Sequence, residues 1–383
     1  MMWTVHTEGG PRRVNHAAVS VGDKIYSFGG YCSTEDYKDW EVIPVHVLDT
    51  TVYRWANVDY NKTIDAPFQI YGHSCVAYGH KVYLWGGRNE SIAGDTVFCF
   101  DTNTYQWSTP VVSGVIPNGK DGHATCLIDN KMYTFGGFEY LTDQYTNNVH
   151  CLNLDTMEWS CIYTKGVPPV PRDFHTALAY KNRIYVFGGR GDFNRPYSSN
   201  NEVYCDKVFY LDIETETWVT VDTNGIKPEG RRSHSAWIYN DQMYIFGGYN
   251  AKTKLHYNDM YTFCLKTNTW KPLNPNGQPP SKRRRQASVL YGDKVIVFGG
   301  TSPTGISKRN TIQQLLQNDS DDDLLLENND LHVFDYSPSL KVLCINYVLQ
   351  HKIDTTSMPK DILLDIRIYT QPNRITRQIN HIG

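Results

Sequence analysis

HSAWIYNDQMYIFGG, residues 234–248, and MYTFCLKTNTW, residues 260–270, hold the pattern on which the fold turns: a histidine, two short apolar runs, a glycine doublet, a further run and a tryptophan. The same order recurs along the chain. Doublets stand at Gly29-Gly30, Gly86-Gly87, Gly136-Gly137, Gly188-Gly189, Gly247-Gly248 and Gly299-Gly300. Thirteen residues before the first glycine of each come His16, His73, His123, His175, His234 and, in the last copy, Gln286. The later run ends on Trp55, Trp107, Trp159, Trp218 and Trp270. Strand-length apolar runs recurring at a period near fifty predict a β-propeller. Glycine doublets permit positive φ where backbones crowd together, and tryptophan fills the gap between blades. The sixth copy has DLHVFDYSPSLKVL after its loop and no tryptophan, while Trp3 stands thirteen residues before His16. The N-terminal strand is therefore expected to complete the last blade and close the ring.

Composition narrows the function. The 383 residues carry 37 Lys plus Arg against 40 Asp plus Glu, a formal net charge of −3, so no polyanion bias shows and nucleic acid is not an expected partner. The N-terminal ten residues have no apolar core of a signal peptide, and no window approaches the ~18 apolar residues of a membrane span, so neither secretion nor membrane insertion is expected. Nine cysteines without a CxxC pair argue against a zinc site or a disulfide framework and fit the cytoplasm or nucleus. The repeated histidines, one per blade, would stand on a ring too wide for metal bonds of about 2 Å and read as framework. No GxSxG, P-loop or HExxH pattern accompanies them. A non-catalytic binding protein without cofactor or metal is the expectation.

Recognition should lie beside the repeat, where residues vary. Two positions before each His or Gln stand Val14, Tyr71, Asp121, Asp173, Arg232 and Arg284; three before stand Arg13, Ile70, Lys120, Arg172, Arg231 and Arg283. Arg231-Arg232 and Lys282 to Arg285 are expected to concentrate positive charge at one side of a pocket mouth, with Arg190 and Arg195 of GGRGDFNR adding to it. Guanidinium forks hold carboxylate or phosphate, so a small anion or a peptide carboxylate is the expected ligand. Asp121 and Asp173, across the mouth, would select a basic side chain beside it. The acidic loop at 318–330 reads as solvated and mobile.

Beyond residue 338, SPSLKVLCINYVL sets Leu340, Cys344 and Val348 at i, i+4 and i+8, with Ser337 and Pro338 as a helix start. Met358, Ile362 and Ile366 repeat that spacing, with Pro359 early. Two short docking helices are one reading, an extra β-strand over KVLCINYVL the other. The first segment resembles a BC box, at Ser339, Leu340, Cys344 and Val348, and the second a cullin-2 box, at Met358-Pro359, Ile362 and Ile366. Behind six kelch repeats, with FGGYC, WGGRN, RRSHSA and RRRQ among them, the chain resembles the kelch-repeat substrate receptors of cullin-2 RING ubiquitin ligases. The resemblance implies an all-β, six-bladed kelch β-propeller over 1–338, box helices over 339–366 and a flexible tail over 367–383. It implies elongin B/C, cullin-2 and a RING subunit as partners, in cytoplasm and nucleus, and substrates ending in C-terminal glycine degrons. Arg190, Arg195 and Arg232, with Arg284, would then hold the degron carboxylate. Gly383 could enter such a pocket on its own or a neighbouring propeller. A kelch scaffold binding actin or a nuclear or chromatin protein is the alternative.

Overall fold

Each repeat becomes a four-stranded antiparallel blade because its apolar runs are parted by two-residue turns whose first residue takes positive φ. Gly22, Gly79, Asp129, Lys181, Asn240 and Gly292 do so, at 47–62°. The computed structural model describes residues 1–33, 40–60, 65–199, 201–307 and 323–378. The first blade runs Ala17–Val21, Lys24–Phe28, Val45–Asp49 and Arg54–Val58 from the channel outward, and the next four follow the same order. The last blade has Ala287–Tyr291, Lys294–Phe298 and Leu331–Asp335, and its outer strand is Met2–Thr7, paired in the register Met2↔Asp335, His6↔His332 and Thr7↔Leu331. The ring is thus closed by its own N-terminus, six blades in all.

The core lies between blades, and a tryptophan is buried in each gap. Trp55, Trp107, Trp159, Trp218, Trp270 and Trp3 are each less than 5% exposed. Each meets the aromatic ring that precedes the doublet of the blade before it: Phe298, Phe28, Trp85, Phe135, Phe187 and Phe246, at centroid distances of 4.9 to 5.8 Å. Trp3 fits this series in the blade whose own repeat lacks a tryptophan.

Around the channel a second set of contacts couples histidine to glycine. The His175 ring edge stands 2.6 Å from where a Cβ on Gly136 would be, and His234 stands 2.5 Å from one on Gly188, so only glycine fits there. The residue before each His or Gln takes positive φ, and its N–H donates to the same position one blade back. These bonds are Gly72 to Asn15, Gly122 to Gly72, Phe174 to Gly122, Ser233 to Phe174, Arg285 to Ser233 and Asn15 to Arg285, at 2.6 to 3.2 Å. Burial holds His16, His123 and His234 at about 3 and His73 at about 4, with the neighbouring charges of Arg13, Lys120 and Arg231 adding to the shift in the first three. An unfolded imidazole titrates near 6.5, so between those values the unfolded chain binds more protons and stability rises with pH. The contribution is complete above about pH 6.5 and falls by about 1.4 kcal/mol per pH unit for each such histidine as the solution is acidified. Urea denaturation at about pH 7.5 and about pH 5.5 should therefore differ by several kcal/mol in the neutral state's favour; equal midpoints would exclude a neutral histidine ring.

Behind the propeller, α1 (Leu340–Gln350) and α2 (Lys360–Thr370) lie against the outer strand Met2–Thr7. KVLCINYVL is helical, and its N-cap is Ser339, whose Oγ accepts from the Val342 N–H at 3.3 Å, rather than Ser337. Ile345 is the buried anchor of α1, Lys341 pairs with Asp365 of α2, and Arg54 donates to the Arg367 carbonyl at the end of α2. The tail is not free from residue 367. Asn373 is 5% exposed; its N–H donates to Glu8 O at 2.6 Å, and its Oδ1 accepts from the Trp55 N–H at 3.1 Å. Thr376–Gln378 then adds a parallel strand beside Arg54–Val58, the place that a linker pair such as Ser113–Gly114 takes beside a later blade. A tail free from 367 would reach some 55 Å; after Gln378 five residues are left, about 17 Å of extended chain, and Gly383 lies outside the described residues. The acidic loop is likewise shorter than its composition suggests, because Asp323–Glu327 pairs with Thr301–Ser307 and Glu327 accepts from the Ser33 N–H; residues 308–322 lie outside the described ones.

Candidate functional site

A cavity of about 680 Å³ opens at the end of the channel where the hydrogen-bonded ring lies. Asn15, Phe174, Ser233 and Arg285 of that ring form its floor. Much of its wall comes from residues two before a His, namely Tyr71, Asp121 and Arg232, and from residues just after a doublet, namely Tyr31, Arg88, Phe138 and Arg190. Those two positions are backbone-paired, as in Tyr71↔Arg88, Asp173↔Arg190 and Arg232↔Tyr249. Tyr31, Tyr71, Phe138, Tyr140 and Tyr145 make it aromatic; Arg88, Arg190, Arg232 and Arg285 make it basic; Glu90 and Asp121 are its acids.

The position three before each His points the other way. Arg172, Arg231 and Arg283 are fully enclosed and reach back beneath the doublets, donating to the carbonyls of Gly188, Gly247 and Gly299 at 2.8, 3.0 and 3.2 Å. Arg231 also pairs with Asp259, Arg283 with Asp330, and Lys120 with Glu139. These cations brace blades and add nothing to the mouth, contrary to the sequence reading. Arg284 is a second correction: its backbone is bridged to Thr301 and its guanidinium lies under the Tyr249 ring at 4.2 Å, 1% exposed and away from the cavity wall. Arg195 is exposed on the loop after Arg190 and is not among the lining residues.

Arg190 and Arg232 do meet. Glu202, on the short strand Glu202–Tyr204 beside Arg190, places one oxygen 3.2 Å from Arg190 Nη1 and 3.1 Å from Arg232 Nη1. Asp173 lies beneath, wholly buried, and receives Arg190 Nε at 3.0 Å, so it orients a guanidinium instead of facing the cavity. Burial opposes the Arg190 charge, but Asp173 and Glu202 more than offset it and hold the group well above the ordinary guanidinium value. Burial would raise Glu202; Arg232, Tyr204 and Arg190 hold it below the usual carboxylate range. Arg88, Glu202 and the aromatic walls were missed from sequence. Arg88 follows its doublet as Arg190 does, so WGGRN carried the same signal; Glu202 has none, lying twelve residues along a loop from Arg190.

Asp121 faces the cavity, 4.0 Å from Arg88 Nε. Burial, then the charge of Asp173, lift its carboxyl to about 7 against the opposing pull of Arg88 and Arg190. Removing Arg88 takes away one of the two cations that keep it ionised. The Asp121 carboxyl carbon, followed by NMR, should titrate near neutrality and move upward in Arg88→Ala; an apparent value near 4 in both proteins would contradict this electrostatic account.

Residues 72–300 match the family described as KLHDC2/KLHL20/DRC7 Kelch-repeats domain, and residues 12–43 match the Kelch motif. Over 386 aligned residues the chain is 44% identical to Kelch domain-containing protein 3 of Rattus norvegicus and of Homo sapiens, covering 99% of this chain and 98% of each relative. Kelch domain-containing protein 2 of Bos taurus is 27% identical over 321 residues, 75% of each chain.

Proposed function

The chain belongs to the kelch-repeat family, alongside Kelch domain-containing protein 3, and we propose that it is a non-catalytic substrate receptor whose cavity takes the free C-terminal carboxylate of a protein ending in glycine. One observation carries the reading: Arg190 and Arg232, which come from adjacent blades and both line the cavity, converge on a single carboxylate oxygen of Glu202. Two guanidiniums that share one carboxylate in the free protein are spaced to grip another. The ligand's terminal carboxylate displaces or joins Glu202, its last residues lie between the tyrosines, and ionised Asp121 faces a basic side chain beside the terminal glycine.

The helices supply the other half. On α1, Leu340 is 77% exposed and Cys344 is exposed, while Val348 is half-buried; on α2, Met358, just before it, and Ile362 and Ile366 are half-buried and Leu364 is exposed. An apolar stripe held off the propeller by the Ile345 anchor suits a partner's groove. We assign α1 to elongin B/C and the Met358-Pro359 start of α2, with Ile362 and Ile366, to cullin-2 and through it a RING subunit. The protein then works in cytoplasm and nucleus, where its nine unpaired cysteines stay reduced.

Calorimetry with peptides ending in Arg-Gly, as free acid and as amide, tests the cavity. The amide should lose most of the affinity, and Arg190→Ala or Arg232→Ala should cost about 2–5 kcal/mol with the acid. The preference for Arg-Gly over Glu-Gly ends should weaken below about pH 7, as Asp121 gains its proton. Equal binding of acid and amide would sink the carboxylate site. For the helices, tagged protein should retain elongin B/C and cullin-2, and Leu340→Ala with Cys344→Ala should lose both while peptide binding persists. Retention by the double variant would remove α1 from that role.

A further inference from the structure

At the seam of the ring, away from the cavity, stands a cluster with the composition of a metal site. His6 and His332 are directly opposed across the strands Met2–Thr7 and Leu331–Asp335, and their rings stack at 4.3 Å. Asp330, two residues before His332, brings Oδ2 to 3.0 Å from His332 Nε2. Glu8, two residues after His6, brings Oε1 to 3.1 Å from His6 Nε2. One donor atom from each of His6, Asp330 and His332 lies within 4.8 Å of the others. His332 is 2% exposed, and its Nδ1 has no hydrogen-bond partner.

Among the described residues Arg283 is the cation held against the cluster, with both nitrogens on Asp330 at 2.7 and 2.6 Å. It does not exclude a metal ion. A carboxylate has about four lone-pair positions; Arg283 takes two and His332 Nε2 a third, so one is open on Asp330 and a second is released when His332 gives that nitrogen to the metal. Arg283 offsets one of the two carboxylate charges, which leaves the donor set at −1 toward a divalent ion. Ligand atoms around tetrahedral zinc, with bonds of about 2.0–2.2 Å, stand roughly 3.3–3.5 Å apart, so the three donors must close by up to about 1.5 Å, the His6 ring must turn out of its stack with His332 to aim its lone pair at the same point, and Glu8 must swing in from outside that set. The partly exposed side chains of His6 and Glu8, at 35% and 56%, can supply that movement while His332 stays fixed.

We propose that His6, His332, Asp330 and Glu8 bind one divalent transition-metal ion of the zinc type, which fastens the N-terminal strand to the last blade. Two imidazoles with two carboxylates suit zinc and exclude magnesium and calcium, whose sites are built from oxygen. All four positions being protein donors, the site is structural and closed.

The test is zinc titration of the full chain after chelator treatment, followed by calorimetry and thermal melting. One equivalent should bind with a raised melting temperature, and magnesium should do nothing. His6→Ala, at a partly exposed side chain, and, separately, Glu8→Gln, at an exposed one, should keep the circular dichroism of the parent, and each should weaken zinc binding about tenfold or more. Cys344→Ser, which removes the exposed thiol, should leave binding unchanged. X-ray absorption at the zinc edge should show nitrogen and oxygen ligands at about 2.0–2.2 Å and no sulfur. Absence of saturable binding, undiminished affinity in His6→Ala, or a sulfur-containing shell would overturn the site.

Discussion

Six backbone hydrogen bonds closed into a loop around the channel are the constraint on which the rest of this propeller depends. Each runs between residues with φ from 49° to 70°, and four of the six, Asn15, Phe174, Ser233 and Arg285, are not glycine. A left-handed conformation costs a non-glycine residue about 1–2 kcal/mol, and the loop persists because the strands on either side leave no other path. Once it is closed, the next residue of each blade, His or Gln, must pass beneath the doublet of the preceding blade, and only glycine leaves room. The histidine and the doublet therefore recur together in five blades for one steric reason.

The same loop sorts the arginines. With one residue held at the cavity floor, the residue before it pairs with the chain leaving the doublet, and in Arg232 it reaches the wall, while its predecessor, as in Arg172, Arg231 and Arg283, runs under the doublet to a glycine carbonyl. Adjacent arginines such as Arg231 and Arg232 thus have opposite roles: one satisfies buried backbone, and the other shares a carboxylate with Arg190 at the cavity. Charge density along the chain says nothing of this division.

The N-terminal strand, the two helices and the segment up to Gln378 meet at one seam. The outer strand of the last blade is N-terminal, the helices lie against it, and Asn373 bonds to Glu8 and Trp55 before the chain joins the first blade. A closed ring built from a linear chain has one junction without covalent continuity between blades, and accessory contacts gather there. The His6–His332 pair stands at this junction too.

Much of this was legible in the residues alone. The doublets, the offset histidines, the tryptophans and the vacancy that Trp3 fills determine the number of blades and the closure, because each is imposed by local contacts repeated in every copy. The two helices were one of two readings of the spacing at Leu340, Cys344 and Val348 and at Met358, Ile362 and Ile366, and the structure decided against a strand over KVLCINYVL. What the tertiary structure alone decided is which of the many arginines line the cavity. Arg231, Arg283 and Arg284 are buried, Asp173 is turned inward by Arg190, Glu202 enters unannounced, and the tail is fastened by Asn373. A repeat specifies backbone positions within one blade; the direction of a long side chain is settled by what the neighbouring blade and its loops offer it, and that offer comes from residues distant in sequence.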